Sequence, residues 1–189
     1  MRLAIFGGTF DPIHNAHLAV AREAAARFAL DRVWLVPADQ PPHKKRFTHA
    51  PYADRMRMVE LACAGEPRLE ASRLEQGTAS SYSIDTIERV RARLEPADQL
   101  YFVIGADAFA EIESWHRWQD VIRAVEFIVV SRPGHNYAVP QDAAVHRLET
   151  IELPVSSSEI RARLARGDDR VDVPVAVLAY IRDHGLYRG

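Results

Sequence analysis

Four runs of this chain are apolar from end to end rather than alternating, and each runs into a glycine, a proline or a turn string. They are residues 3–6 before Gly7-Gly8, 33–36 before Pro37, 100–104 before Gly105, and 127–130 before Ser131-Arg132-Pro133-Gly134. A strand that is apolar on both faces has to be covered on both, which is how parallel sheets are built. Helical spacing falls between the runs. Residues 16–30 place Leu18, Ala21, Ala25 and Phe28 on one face, and residues 52–64 do the same with Met56, Val59 and Cys63. Residues 84–94 read as a helix with Ser83 as its cap, and a helical stretch carries Trp115 and Trp118. Shorter strands are expected at 68–74 and near 148–153, and helices at 158–166 and 174–184. The alternation predicts an α/β fold: a single-domain, doubly wound, Rossmann-like parallel sheet over residues 1–189, with helices on both faces.

Composition narrows what such a sheet could serve. A chain of 189 residues with 48% hydrophobic and 26% charged residues supports one sizeable core. A net charge of −2 gives no reason to expect nucleic acid or an acidic membrane as partner. Cys63 is the single cysteine, so no internal disulfide can form and a reducing compartment is the simpler home. No apolar stretch approaches the roughly 20 residues of a membrane span, and the N-terminus does not read as a secretion signal. The expected location is the cytoplasm.

Ligands of doubly wound sheets bind beyond the carboxyl ends of the strands, so those are the residues to read next. The first strand runs into Gly7-Gly8-Thr9-Phe10-Asp11-Pro12-Ile13-His14-Asn15-Ala16-His17. Glycines let backbone amides approach a phosphate, and a helix start aims its positive end at the same place. His14 and His17 are spaced to project from one side of that helix start. The spacing is neither the G-x-G-x-x-G fingerprint nor the Walker A pattern. A glycine turn with two capping histidines is the structural alternative, and a zinc site lacks further ligands nearby. After the second strand, Pro41-Pro42-His43-Lys44 stiffens a loop and ends in the basic run Lys44-Lys45-Arg46, which by itself could be plain solvated surface. Ser156-Ser157-Ser158-Glu159-Ile160-Arg161 enters a helix with hydroxyls, free amides and a guanidinium, suited to an anion or, equally, to a serine cap.

The opening string and the Ser156–Arg161 string together resemble the two phosphate-binding motifs of the nucleotidylyltransferase superfamily. They are most similar to those of bacterial nicotinate-nucleotide adenylyltransferases. Ala16 stands where the superfamily usually has glycine between the histidines, and the property that its methyl bears on is nucleotide affinity. The resemblance implies an ATP site of Gly7, Gly8, Thr9, Phe10, Gly105, Asp107, Ser156 and Ser157, with Asp107 on a ribose. It implies that His14, His17, Lys44 and Arg161 act on the phosphates, with His43 a secondary candidate. It also implies that Trp115 stacks on a pyridine ring, worth roughly 0.5–2 kcal/mol for a cationic ring. Tyr82 and Ser83 of the Ser81-Tyr82-Ser83-Ile84-Asp85-Thr86 stretch would lie beside that ring, where backbone amides and the Ser83 hydroxyl would suit the carboxylate that sets nicotinate apart from nicotinamide.

The implied reaction is adenylyl transfer from ATP to nicotinate mononucleotide, with Mg²⁺ carried mainly by ATP oxygens and no metal held by the protein. An anionic 5′-phosphate needs no general base, and the chain shows no nucleophilic triad. Rival readings are transfer to phosphopantetheine, cytidylyl transfer to a small phosphate ester, a non-catalytic nucleotide sensor, and an aminoacyl-tRNA synthetase fragment. The first two lack a ring for Trp115. The last is short of length and of an anticodon-binding region.

Overall fold

The computed structural model describes residues 1–40, 48–78, 80–150 and 155–188. Six strands lie in one sheet in the order β3-β2-β1-β4-β5-β6, every neighbouring pair parallel. They are β1 (Arg2–Gly8), β2 (Arg32–Pro37), β3 (Leu69–Ala71), β4 (Gln99–Gly105), β5 (Glu126–Ser131) and β6 (Val145–Glu149). This is the Rossmann order, and the chain reverses its direction of travel between β1 and β4. The described helices are α1 (Asn15–Arg27), α2 (Tyr52–Cys63), α3 (Ser83–Arg91), α4 (Ala106–Ala110), α5 (Trp118–Ala124), α6 (Ser157–Ala165) and α7 (Val175–Asp183), with a 3₁₀ turn at Ile112–Ser114.

The strand side chains sort by parity, as a pleat requires. Ala4, Leu35, Tyr101, Val103, Ile128 and Val130 pack on one side with residues of α1, α2, α6 and α7. Leu3, Ile5, Val36, Phe102, Ile104, Phe127 and Val129 pack on the other with residues of α3, α4 and α5. Both faces are therefore covered, and the continuous apolar runs of the sequence are accounted for.

Several expected boundaries move. Helix α1 stops at Arg27, because Ala29 takes a left-handed φ of 48° that no helix continues through. Strand β3 is only Leu69–Ala71, and β6 begins at Val145, ahead of the expected 148–153; residues 151–154 lie outside the described part. The cap of α3 is Tyr82, and Ser83 is already the first helical residue. Trp115 and Trp118 do not share a helical face. Trp115 is extended at φ −76°, ψ 148°, and Arg117 at φ 53° separates it from α5, which starts at Trp118.

Candidate active site

The carboxyl ends of β1, β2, β4 and β5 open on one side of the sheet, and three cavities there meet at Gly105. Local chemistry explains the first loop. Gly8 accepts a hydrogen bond from the Ala38 amide (2.9 Å), and a Cβ on Gly8 would stand 3.1–3.3 Å from the Phe10 ring. Phe10 itself adopts φ 46°, a costly conformation for a bulky residue, and its ring is 1% exposed. That ring meets His17 edge-on, with centroids 5.0 Å apart. The Phe10 side chain thus sits in the core, packed against His17.

His14 caps α1 and is buried, and its ring stacks on that of half-buried His17 at 3.6 Å and 21°. The His14 amide donates to His17 Nδ1 (3.2 Å), so the ring proton of neutral His17 belongs on Nε2. His14 Nδ1 is buried without a partner among the described residues. Burial lowers the His14 pKa to about 4, although Asp172 pulls it upward. Burial, and then the neighbouring His14, hold His17 well below the usual imidazole range. Both histidines line a cavity of about 270 Å³ with Phe6, Ala16, Val20, Gly105 and Val130.

The second phosphate motif comes to the first. Ser157 Oγ donates to the Pro12 carbonyl (3.0 Å), and Arg161 donates to the Asp11 carbonyl (2.7 Å) and to Ser158 Oγ (3.1 Å). Ser156 does act as the N-cap of α6, its Oγ accepting from the Glu159 amide at 3.2 Å. Capping does not withdraw it from the motif, because the helix start that it caps is the one facing Pro12.

Asp107 is fully exposed at the start of α4, 3.7 Å from His135 Nε2. With Gly105, Ser131, Arg132 and His135 it borders a second cavity of about 440 Å³. A third space, about 270 Å³, is walled by Gly7, Gly8, Thr9, Ser83, Thr86, Gly105 and Trp115. Trp115 stands edge-on to Phe102 there, centroids 6.1 Å apart. Tyr82 lies off that wall, its ring 4.5 Å from that of His116. Lys44 and His43 fall outside the described residues. Among the described residues no group of three or more histidine, cysteine or acidic side chains could hold a metal ion, and no helix is long and apolar enough to cross a membrane.

Three groups that shape the site were not among the sequence candidates. Arg55 is completely buried and donates to the carbonyls of Thr9 (2.7 Å), Ala38 (2.8 Å) and Ala50 (3.2 Å), tying the loops after β1 and β2 to the start of α2. Its position three after Tyr52 and four before Val59 puts it on the apolar stripe, a legible signal. Asp11 takes hydrogen bonds from the His49 amide (2.7 Å), the Ala50 amide (3.1 Å) and the Tyr187 hydroxyl (2.7 Å). Glu75 lies in an irregular stretch whose sequence carries no period, so nothing in the sequence pointed to it.

The loop after β1 and the start of α6, brought together at the switch point of a parallel sheet, fit a nucleotide-binding α/β transferase, and the cytidylyltransferase-like family pattern matches residues 5–163. A protein of Solibacter usitatus (strain Ellin6076) that bears the name probable nicotinate-nucleotide adenylyltransferase is 66% identical over 187 residues, 99% of this chain and 100% of its own length. A protein of the same name from Thermus thermophilus is 42% identical over 193 residues, covering 100% of both chains. The chain belongs to the nicotinate-nucleotide adenylyltransferase family. The fold agrees with that of Plasmodium falciparum nicotinic acid mononucleotide adenylyltransferase, solved in complex with NaAD: TM-score 0.77 at 20% identity, over 98% of this chain and 97% of the other.

Proposed function

We propose that this chain transfers the adenylyl group of ATP to nicotinate mononucleotide, releasing pyrophosphate and forming nicotinate adenine dinucleotide. The observation that carries it is the junction at Gly105. Room beside Trp115 and Ser83, room beside the paired histidines and room beside Asp107 all open on that one glycine, so two nucleotides can meet there end to end.

The chemistry is attack of the acceptor's 5′-phosphate on the α-phosphorus of ATP, with the bond to the β-phosphate breaking. The nucleophile is already anionic, so the protein's work is to position two polyanions and stabilise developing charge. His17, with its proton directed to Nε2, and His14 serve the α- and β-phosphates. Lys44 serves the β- and γ-phosphates, and Ser156, Ser157 and Arg161 approach from the start of α6. The amides of Gly7 and Gly8 together with Thr9 line the passage between the nucleotides, with Phe10 supporting it from below. Asp107 and Gly105 meet the ATP ribose. Trp115 offers its face to the pyridine ring, and Ser83 and Tyr82 close that end. Magnesium enters with ATP as part of the substrate, carried mainly by the ATP oxygens. The cytoplasm is the compartment that fits this reaction.

The test is pyrophosphate release from Mg·ATP with nicotinate mononucleotide, nicotinamide mononucleotide and phosphopantetheine as separate acceptors. Release with the two pyridine nucleotides and not with phosphopantetheine is expected. Silence with both pyridine nucleotides, from folded protein that still binds ATP, would move the activity to another acceptor.

A further inference from the structure

Glu75 is buried in the wall of the cavity beside Trp115, and donors from three segments of the chain surround its carboxyl group. The Thr86 hydroxyl, on α3, donates to its Oε1 at 2.7 Å. The Ser81 hydroxyl, in the loop after β3, and the Asp39 amide, in the loop after β2, lie beside the same group. Burial raises its pKa, and the Ser81 and Thr86 hydroxyls, the Arg89 charge and the Asp39 amide pull it back.

Ser81 carries the tie onward. Its Oγ accepts from the amides of Asp39 and Gln40 at 3.1 Å each, and its own amide donates to the Gln40 carbonyl at 3.0 Å. With two amides given to it, the hydroxyl has its one hydrogen left to give, and Glu75 is the acceptor at hand. The Gly77 amide closes the same seam on the Asp39 carboxylate at 2.7 Å. Each joined segment supplies wall to the cavity: Ala38 from the loop after β2, Ser81 from the loop after β3, Ser83 and Thr86 from α3.

We propose that Glu75 is a positioning residue for the acceptor. Without touching the ligand, it holds the loop after β2, the loop after β3 and the start of α3 at the spacing that seats the acceptor ring against Trp115. The inference rests on the placement of that ring given above. A misplacement of about 1 Å at a reacting centre can cost on the order of a hundredfold in rate, so the spacing of three walls matters to turnover as well as to binding. The ATP side has ties of its own. Arg55 holds the carbonyls of Thr9 and Ala38, and Asp11 holds the amides of His49 and Ala50. The loss of Glu75 is therefore felt first at the acceptor cavity.

The experiment is steady-state kinetics with nicotinate mononucleotide and Mg·ATP varied in turn, well below the Tm of each protein, for the wild type, Glu75→Met and Glu75→Gln. Methionine keeps the length of the side chain and removes both acceptor oxygens. The KM for the acceptor should then rise about fivefold or more, while that for Mg·ATP stays within about twofold. Glutamine keeps an oxygen for the Ser81 hydroxyl and can give an N–H to the Thr86 oxygen, so it should recover most of that rise. A carboxyl group that serves only the fold would lower Tm in Glu75→Met and leave both KM values where they were. That result overturns the inference, and so does a rise shared equally by the two substrates. Where Glu75→Met does not fold, Thr86→Val, which removes only the hydroxyl on Oε1, is read by the same split. Its acceptor KM should rise about twofold or more, and an unmoved one overturns the inference. No turnover of this acceptor by the wild type would remove the placement beside Trp115 and the inference with it. Turnover with an acceptor KM that the variants leave unmoved removes the inference alone.

Discussion

His14 and His17 stand as neutral rings, held so by burial and stacked 3.6 Å apart. With His17 Nδ1 occupied by the His14 amide, the hydrogen that remains to His17 is held on Nε2. The same burial has a consequence for stability. The folded pKa of His14 is lowered from 6.5 to about 4, so the unfolded chain takes up the proton first as pH falls. The stabilisation is complete above pH 6.5 and is lost as pH drops toward 4, on the order of 3 kcal/mol for this one group. Urea unfolding at pH 7 and at pH 4.5 should show the wild type losing more stability than His14→Gln, by roughly that amount. Equal losses in the two proteins would contradict a buried neutral imidazole. This pair was legible in the sequence because spacing on a helix is a geometric constraint. Glu75 was not, because its contact with Thr86 spans a stretch without regular structure, where spacing says nothing about direction.

At the scale of elements, the strands were legible for a physical reason: β1, β2, β4 and β5 are apolar on both faces because helices cover both. What the apolar pattern could not show was local backbone geometry. The left-handed φ of Arg117 breaks the stretch expected to carry both tryptophans, and it falls on a residue that gives no warning of it. The break leaves Trp115 on the cavity wall while Trp118 begins α5. Helix α2 carries the opposite kind of surprise, a charge on its buried stripe. Arg55 donates to three carbonyls, two of them in the loops that frame the site. Its pKa is lowered by that burial, with Asp11 pulling it back up. Arg55→Met keeps the volume and abandons all three carbonyls, so it should cost about 3 kcal/mol or more in urea unfolding. Arg55→Lys, with one ammonium in place of a fork, should fall between the two. A Met variant as stable as the wild type would show that water replaces the guanidinium without loss.

Across the whole molecule, the site is closed by residues far apart in the chain, and Asp11 is where they meet. Its carboxylate receives the amides that lead into α2 and, from the C-terminus, the Tyr187 hydroxyl, while its carbonyl receives Arg161 of α6. Helix α7 is fastened separately to α2 by the Tyr180 hydroxyl on Asp54 at 2.8 Å. The end of the chain is therefore part of the support for the loop after β1. The Tyr187 hydroxyl is held protonated by burial and by the Asp11 charge beside it, so it donates throughout the working range of pH. Tyr187→Phe removes that donor and keeps the ring. One hydrogen bond to a charged group is worth about 1.5–3 kcal/mol, which for a chain of this size lowers Tm by roughly 3–10 °C. A loss of packing alone would stop at stability. Since Asp11 fixes the loop that carries His14, the KM for Mg·ATP should also rise, about threefold or more, at temperatures well below the new Tm. A variant that melts early yet keeps the wild-type KM would confine Tyr187 to holding the fold. A raised KM would make the last residues of the chain part of what positions ATP.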